Sequence, residues 1–166
     1  MARPRPTPIP PPLLAWQQML EQQQRQSRPL EALPSPTEQL KSLTLKLGQQ
    51  TGALLEQGAQ IRRPIFALTL SHALHTSLQM ANVMNINVGT RLLSSPPFNN
   101  PPQSGQDTAF AMSPILGRMG KAMEATDHFE NYPSRQEMER ACVDMAALLL
   151  TTAHTHRLKF KSPALP

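Results

Sequence analysis

Ser35-Pro36-Thr37-Glu38 opens the stretch whose reading decides the fold, and Leu40, Leu43, Leu47 and Leu54 follow it at spacings of three, four and seven. Ser35 is a capping residue. Pro36 suits the first helical position, where no N–H partner is needed, and Glu38 stands where a capping box places its acid. The leucines then line one face of a helix. Its end is predicted near Gln57-Gly58.

Working outward, Pro64 opens a second helix. Ala67, Leu70, Leu74, Leu78 and Ala81 form its stripe, with Phe66, Ala73, Met80 and Val83 beside them. So wide a stripe predicts a central helix buried on more than one side, with Gly89 as its stop. A stretch rich in Pro, Asn, Gly and Ser follows. Ser113-Pro114 then repeats the Ser-Pro opening ahead of Ile115, Met119, Ala122 and Met123. Asn131-Tyr132-Pro133 is a break, and Ser134-Arg135-Gln136-Glu137 reads as a second capping box. Met138, Ala141, Met145, Leu148, Leu149 and Thr152 give the last helix its core face.

The expected fold class is therefore all-α, a four-helix core built from two helical hairpins, with a Pro-rich N-terminal extension and a Pro-rich central linker. The segments are 1–34 (a Pro/Gln-rich extension or transit segment with a short helix at Leu13–Gln26), 35–93 (first hairpin), 94–112 (linker), 113–160 (second hairpin) and 161–166 (tail). The halves also share local sequence: Gly52-Ala53-Leu54-Leu55-Glu56 parallels Gly120-Lys121-Ala122-Met123-Glu124. They would pair as a pseudo-dimer within the chain or with a second copy. Composition agrees with helix. Aromatic residues are only 4% of the 166, so Leu, Ala and Met carry the apolar side, and half of the 18 prolines precede Thr37.

The formal net charge is +5 and the pI is near 10. Such a balance suits an acidic partner or simply a soluble surface. Arg157, Lys159 and Lys161 alternate with Leu158, Phe160 and Ser162 in the tail, and Arg62 and Arg63, with Lys41 and Lys46, form a second basic group around the first hairpin. Arg157, Lys159, Lys161, Arg62 and Arg63 are the candidate contacts to a partner or nucleic acid; solvated faces are the plainer account of them. The run Met145–Leu150 is far too short for a membrane span, which needs about 20 residues. Arg3, Arg5, Arg25 and Arg28 against Glu21 alone fit a mitochondrial transit segment; a cytoplasmic setting is the alternative. Cys142 is the single cysteine. It lies within the apolar stripe of the last helix, where a thiol packs as a small hydrophobe rather than serving as a nucleophile. His72 and His75 fall three apart, yet no close-spaced Cys/His signature completes a zinc site.

Lys46-Leu47-Gly48-Gln49-Gln50-Thr51-Gly52-Ala53-Leu54-Leu55-Glu56, followed by a helix ending Met80-Ala81-Asn82-Val83-Met84-Asn85-Ile86-Asn87-Val88, resembles the MazG-type all-α nucleotide pyrophosphohydrolases. The resemblance spans Lys46–Val88 and, more faintly, Ile115–Phe160. It implies two acidic motifs that hold magnesium for attack on a nucleoside triphosphate. At the matching positions this chain has Gln49, Gln50, Ala53, Thr69 and His72. The second half has Gly117, Arg118, Lys121, Ala141 and Asp144. Magnesium wants hard oxygen ligands, and only Asp144 keeps one. The resemblance thus implies a degenerate, noncatalytic member with no catalytic residues, metal ligands or cofactor. The expected function is a noncatalytic scaffold or binding subunit of a larger complex, mitochondrial and ribosome- or RNA-associated, with protein subunits as partners. The alternatives are a divergent metal-dependent pyrophosphohydrolase and an accessory nucleic-acid-binding protein.

Overall fold

The computed structural model describes residues 12–27, 34–59, 61–93, 100–160 and 162–163. Residues 1–11, most of the expected linker's Pro-rich opening and Lys161 lie outside them. The described residues form helices and no strand: α1 (Leu13–Ser27), α2 (Pro36–Glu56), α3 (Arg63–Val83), α4 (Val88–Leu92), α5 (Gly105–Asp127) and α6 (Ser134–Thr155).

The capping box of α2 forms as its sequence predicts. The Glu38 backbone N–H donates to Ser35 Oγ at 3.3 Å, and the Ser35 backbone N–H donates to Glu38 Oε2 at 2.9 Å. The Ser35 backbone N–H first, and then the Ser35 hydroxyl, which donates to the same oxygen at 2.9 Å, hold the Glu38 carboxyl below its ordinary pKa.

The long helices touch in a closed ring: α2 on α3, α3 on α6, α6 on α5, and α5 on α2. Neighbours run antiparallel. Lys41 Nζ meets Asp127 Oδ2 at 2.6 Å where α2 begins and α5 ends. At the other end the Gln106 N–H donates to the Gly58 carbonyl at 3.2 Å. Arg135 donates to the Met84 carbonyl where α6 begins and α3 ends, and Phe66 packs edge-on to His156 where α3 begins and α6 ends. Leu47, Leu54, Phe66, Leu70, Leu74, Met112, Met119, Met145 and Leu149 fill the interior.

Four local expectations are corrected. First, α5 starts at Gly105, not Ser113, so the connection is shorter than residues 94–112. Ser104 Oγ accepts the Asp107 N–H at 3.0 Å and is the true cap. Pro114 is exposed within the helix, where it removes one backbone bond without entering the core. Second, α3 ends at Val83 and is closed by Asn85, not Gly89. Asn85 takes φ 57°, and the Ile86 N–H donates to the Ala81 carbonyl at 3.0 Å, closing the helix with a left-handed residue that is not glycine. Third, no capping box forms at Ser134. Pro133 occupies the cap position, and Glu137 instead accepts from Arg140 Nη1 at 2.6 Å.

Fourth, the short helix of the expected extension belongs to the core. In α1, Leu13, Trp16 and Leu20 are buried, and the helix packs on α3 and α4. Gln17, only 4% exposed, bolts it there. Its Nε2 donates to Asn82 Oδ1 at 2.9 Å and to the Ile86 carbonyl at 2.8 Å, and its Oε1 accepts the Val88 N–H at 3.2 Å. Trp16 meets His75 and Phe160 edge-on, with ring centroids 5.7 and 6.4 Å away.

Candidate functional site, a cationic edge between two helix ends

The antiparallel pairing of α3 and α6 places the start of one beside the end of the other. Phe66 and His156 join them, their ring centroids 5.3 Å apart, and His156 Nε2 lies 3.0 Å from the Pro102 carbonyl oxygen. Arg62 and Arg63 therefore stand at the same end of the bundle as Arg157 and Lys159. All four are exposed, and none forms an ion pair among the described residues. The two arginines of one basic group thus lie at the same end as the cations of the tail, whereas Lys41 pairs with Asp127 at the other end.

Local structure explains their posture. Arg157 takes φ 52° after α6, and the Leu158 N–H donates to the Ala153 carbonyl at 2.8 Å. Burial alternates along the residues that follow. Leu158 and Phe160 pack against the core, while Arg157 and Lys159 face solvent. Arg62 caps α3 without any side-chain hydrogen bond, and the first turn holds no acid. Two cations at the positive end of a helix oppose its dipole by about 0.3–1 kcal/mol each. Arg157 and Lys159, beside a helix C-terminus, complement theirs.

The other cations are spent differently. Lys121 reaches Glu130 at 2.9 Å and Glu124 at 3.2 Å, and Arg135 reaches Glu139 at 3.0 Å. Those contacts, to Glu130 first, push the Lys121 ammonium above its ordinary pKa. They gather where α5 ends and α6 begins, opposite the α3–α6 edge. Acids near the free cations are few: Glu56 and Asp107 lie at that end of the bundle, on the α2 and α5 side.

The positions matched to the pyrophosphohydrolase motifs are also placed. Gln50 donates to Thr76 Oγ1 at 3.1 Å and Gln57 to Thr69 Oγ1 at 3.4 Å, a neutral seam between α2 and α3. In the second half, Arg118 Nη2 meets Asp144 Oδ2 at 2.5 Å, so the one retained carboxylate already holds a cation. Among the described residues no three His, Cys, Asp or Glu side chains converge on a common point. His75 turns to Trp16 while His72 is exposed, so that pair does not share a ligand position. Burial, with the charge of Glu139 second, pushes the Cys142 thiol up to about 12.

Sequence reasoning missed Gln17 and the membership of α1 in the core. The signal was present in the spacing of Leu13, Trp16 and Leu20, which is that of one helix face. No family model matches the chain, and no curated protein or solved structure matches it.

Proposed function

We propose that the chain is a noncatalytic helical binding subunit, built on a four-helix core of two hairpins, that seats its α3–α6 edge against an anionic surface of a larger assembly. One observation carries this reading. Arg62, Arg63, Arg157 and Lys159 stand at one end of the bundle without ion-pair partners among the described residues, while the cations at the opposite end are paired. Unpaired arginines present planar donor forks that suit carboxylates and phosphates. The noncatalytic part is supported by the neutral Gln50–Thr76 and Gln57–Thr69 seam, by the Arg118–Asp144 pair and by the buried thiol. Arg3, Arg5, Arg25 and Arg28, against Glu21 alone, favour a mitochondrial setting.

The test is twofold. The purified protein is incubated with nucleoside triphosphates and magnesium or manganese, and turnover that vanishes on Asp144→Ala would overturn the noncatalytic reading. Retention on an immobilised polyanion is then followed with salt. Arg62→Glu with Arg63→Glu should elute at clearly lower salt than the parent, whereas Arg135→Glu with Arg140→Glu, the same change of charge at the opposite end, should shift much less. Equal shifts would make the edge no more than a contributor to net charge.

A further inference from the structure

We infer that the outer face of α2 and α5 is the contact between two copies of this chain, related by a two-fold axis along the groove between these helices. Leu45 is 67% exposed on α2, and Phe110 is 58% exposed on α5. Both stand away from the bundle. On α2, Thr51 turns to Met112 of α5 and Gln50 to Thr76 of α3, and Leu45 falls on the opposite side of the helix. On α5, Met112 and Met123 face α2 and Arg118 faces Asp144 of α6, so Phe110 falls on the remaining side. Glycine floors the surface between them. Gly48 and Gly52 of α2 and Gly117 and Gly120 of α5 are exposed, and a Cβ at any of them would meet nothing within 4 Å. In the free chain these glycines only lower helix stability; against a second surface they admit a close approach of backbones.

The register makes this face complementary to itself. Thr44 approaches Met123 and Thr51 approaches Met112, both at 3.8 Å, which brings Gly48 level with Gly117. Leu45 then stands level with Gly120, and Phe110 lies toward Gly52 and the half-exposed Leu55. An axis along the groove sets α2 of one copy on α5 of the other at the same level. Leu45 seats in the gap at the partner's Gly120, and Phe110 covers the partner's Gly52 and Leu55. Such a contact is isologous and closes at two copies.

Charge also selects a second copy. The chain carries +5, so two copies meet most easily across a face without unpaired cations. Around this face Arg118 is paired with Asp144, Lys121 with Glu124 and Glu130, and Lys41 with Asp127. Lys46 lies one turn before Gln50, on the flank of α2 nearer α3, and the exposed acid Glu56 borders the face. The axis brings Lys41 level with the partner's Asp127, so opposite charges meet at the rim. In the ring of helices α3 and α6 lie across from this face. Both cationic edges of the dimer therefore stay outward and apart.

The experiment is sedimentation velocity on the full chain over a concentration series, in salt high enough to screen the cationic edge. A species of twice the 18.4 kDa chain mass should grow with concentration. Leu45→Glu and Gly120→Leu should each weaken the dimer about tenfold or more with unchanged far-UV spectra. Ile65→Glu, at an exposed aliphatic of α3, should leave it unchanged. A tagged Leu45→Cys chain mixed with an untagged Gly120→Cys chain should form disulfide-linked heterodimers under mild oxidation in preference to either homodimer, while buried Cys142 stays out of the reaction. A monomer at every concentration would overturn the inference. So would a dimer that Leu45→Glu and Gly120→Leu leave intact, or a mixture that yields no preferred heterodimer.

Discussion

Phe129 is 95% exposed and holds φ 54° at the end of α5, where the Glu130 N–H donates to the Ala125 carbonyl at 2.9 Å. A left-handed conformation costs a side-chain-bearing residue about 1–2 kcal/mol relative to glycine, and here no burial offsets it. Phe129→Gly should therefore raise stability by ~1 kcal/mol, read as a higher urea midpoint at unchanged slope. A lower midpoint would mean that the ring contributes packing in solution. Cys142 offers a second test at this scale. Its folded pKa, pushed up to about 12, lies above the 9.0 of a free thiol. The folded chain thus keeps its proton where the unfolded chain loses it. Its contribution is complete below pH 9 and is lost as pH rises from 9 toward 12. Comparing urea midpoints at neutral and alkaline pH, Cys142→Ala should show the shallower alkaline loss, whatever its stability at neutrality. Identical pH slopes would mean that the thiol is solvated.

At the scale of elements, the helical glycines fall into two physical kinds. Gly117 and Gly48 sit within α5 and α2, and a Cβ added at either would meet nothing within 4 Å. Each lowers helix stability for no steric return, so Gly117→Ala should stabilise by about 0.5–1 kcal/mol. At Gly105 a Cβ would stand 2.6 Å from the Leu54 carbonyl oxygen, which cannot give way cheaply. Gly105→Ala should destabilise by about 1–3 kcal/mol, because α5 must lift off the end of α2. Thermal melts of the two variants should move in opposite directions. That contrast marks how far the elements were legible. Apolar stripes located every long helix, since a face that packs must repeat near 3.6 residues. The α2 start was readable because its cap is local, made by Ser35 and Glu38 three residues apart. The ends of α3 and the start of α5 were not, because tertiary contact decides them. Asn85 accepts a left-handed turn that sequence logic assigns to Gly89, and Ser104-Gly105 starts a helix only against α2. The candidate edge was half legible: Arg62, Arg63, Arg157 and Lys159 stood out as basic. Nothing in their spacing revealed that Phe66 and His156 would join them, or that Arg118, Lys121 and Arg135 would be paired.

For the whole molecule the decisive piece is α1, because it closes the open side of α3 and meets the chain's return after α6. Trp16 touches both: His75 on α3 and Phe160 beyond α6. Gln17 ties the same turn of α1 to Asn82, Ile86 and Val88. Loss of α1 would uncover these partners together and leave the carbonyl of Ile86 and the N–H of Val88 without their shared amide. Removing a buried aromatic costs about 3–5 kcal/mol, and a domain of this size has on the order of 5–15 kcal/mol in all. Trp16→Ala should thus consume a large part of the margin, and truncation through Ser27 should exceed it. Processing after Ser27 would then deliver a weakened chain unless a partner covered α3. Circular dichroism melts of the full chain, Trp16→Ala and the truncated chain should fall in that order. Phe160→Ala should be non-additive with Trp16→Ala, since the two share one contact. Additive losses, or a truncated chain that melts like the full one, would show that α1 rests on the bundle without being part of it. The α3–α6 edge would then have to be read with the face of α3 beside it open to a partner.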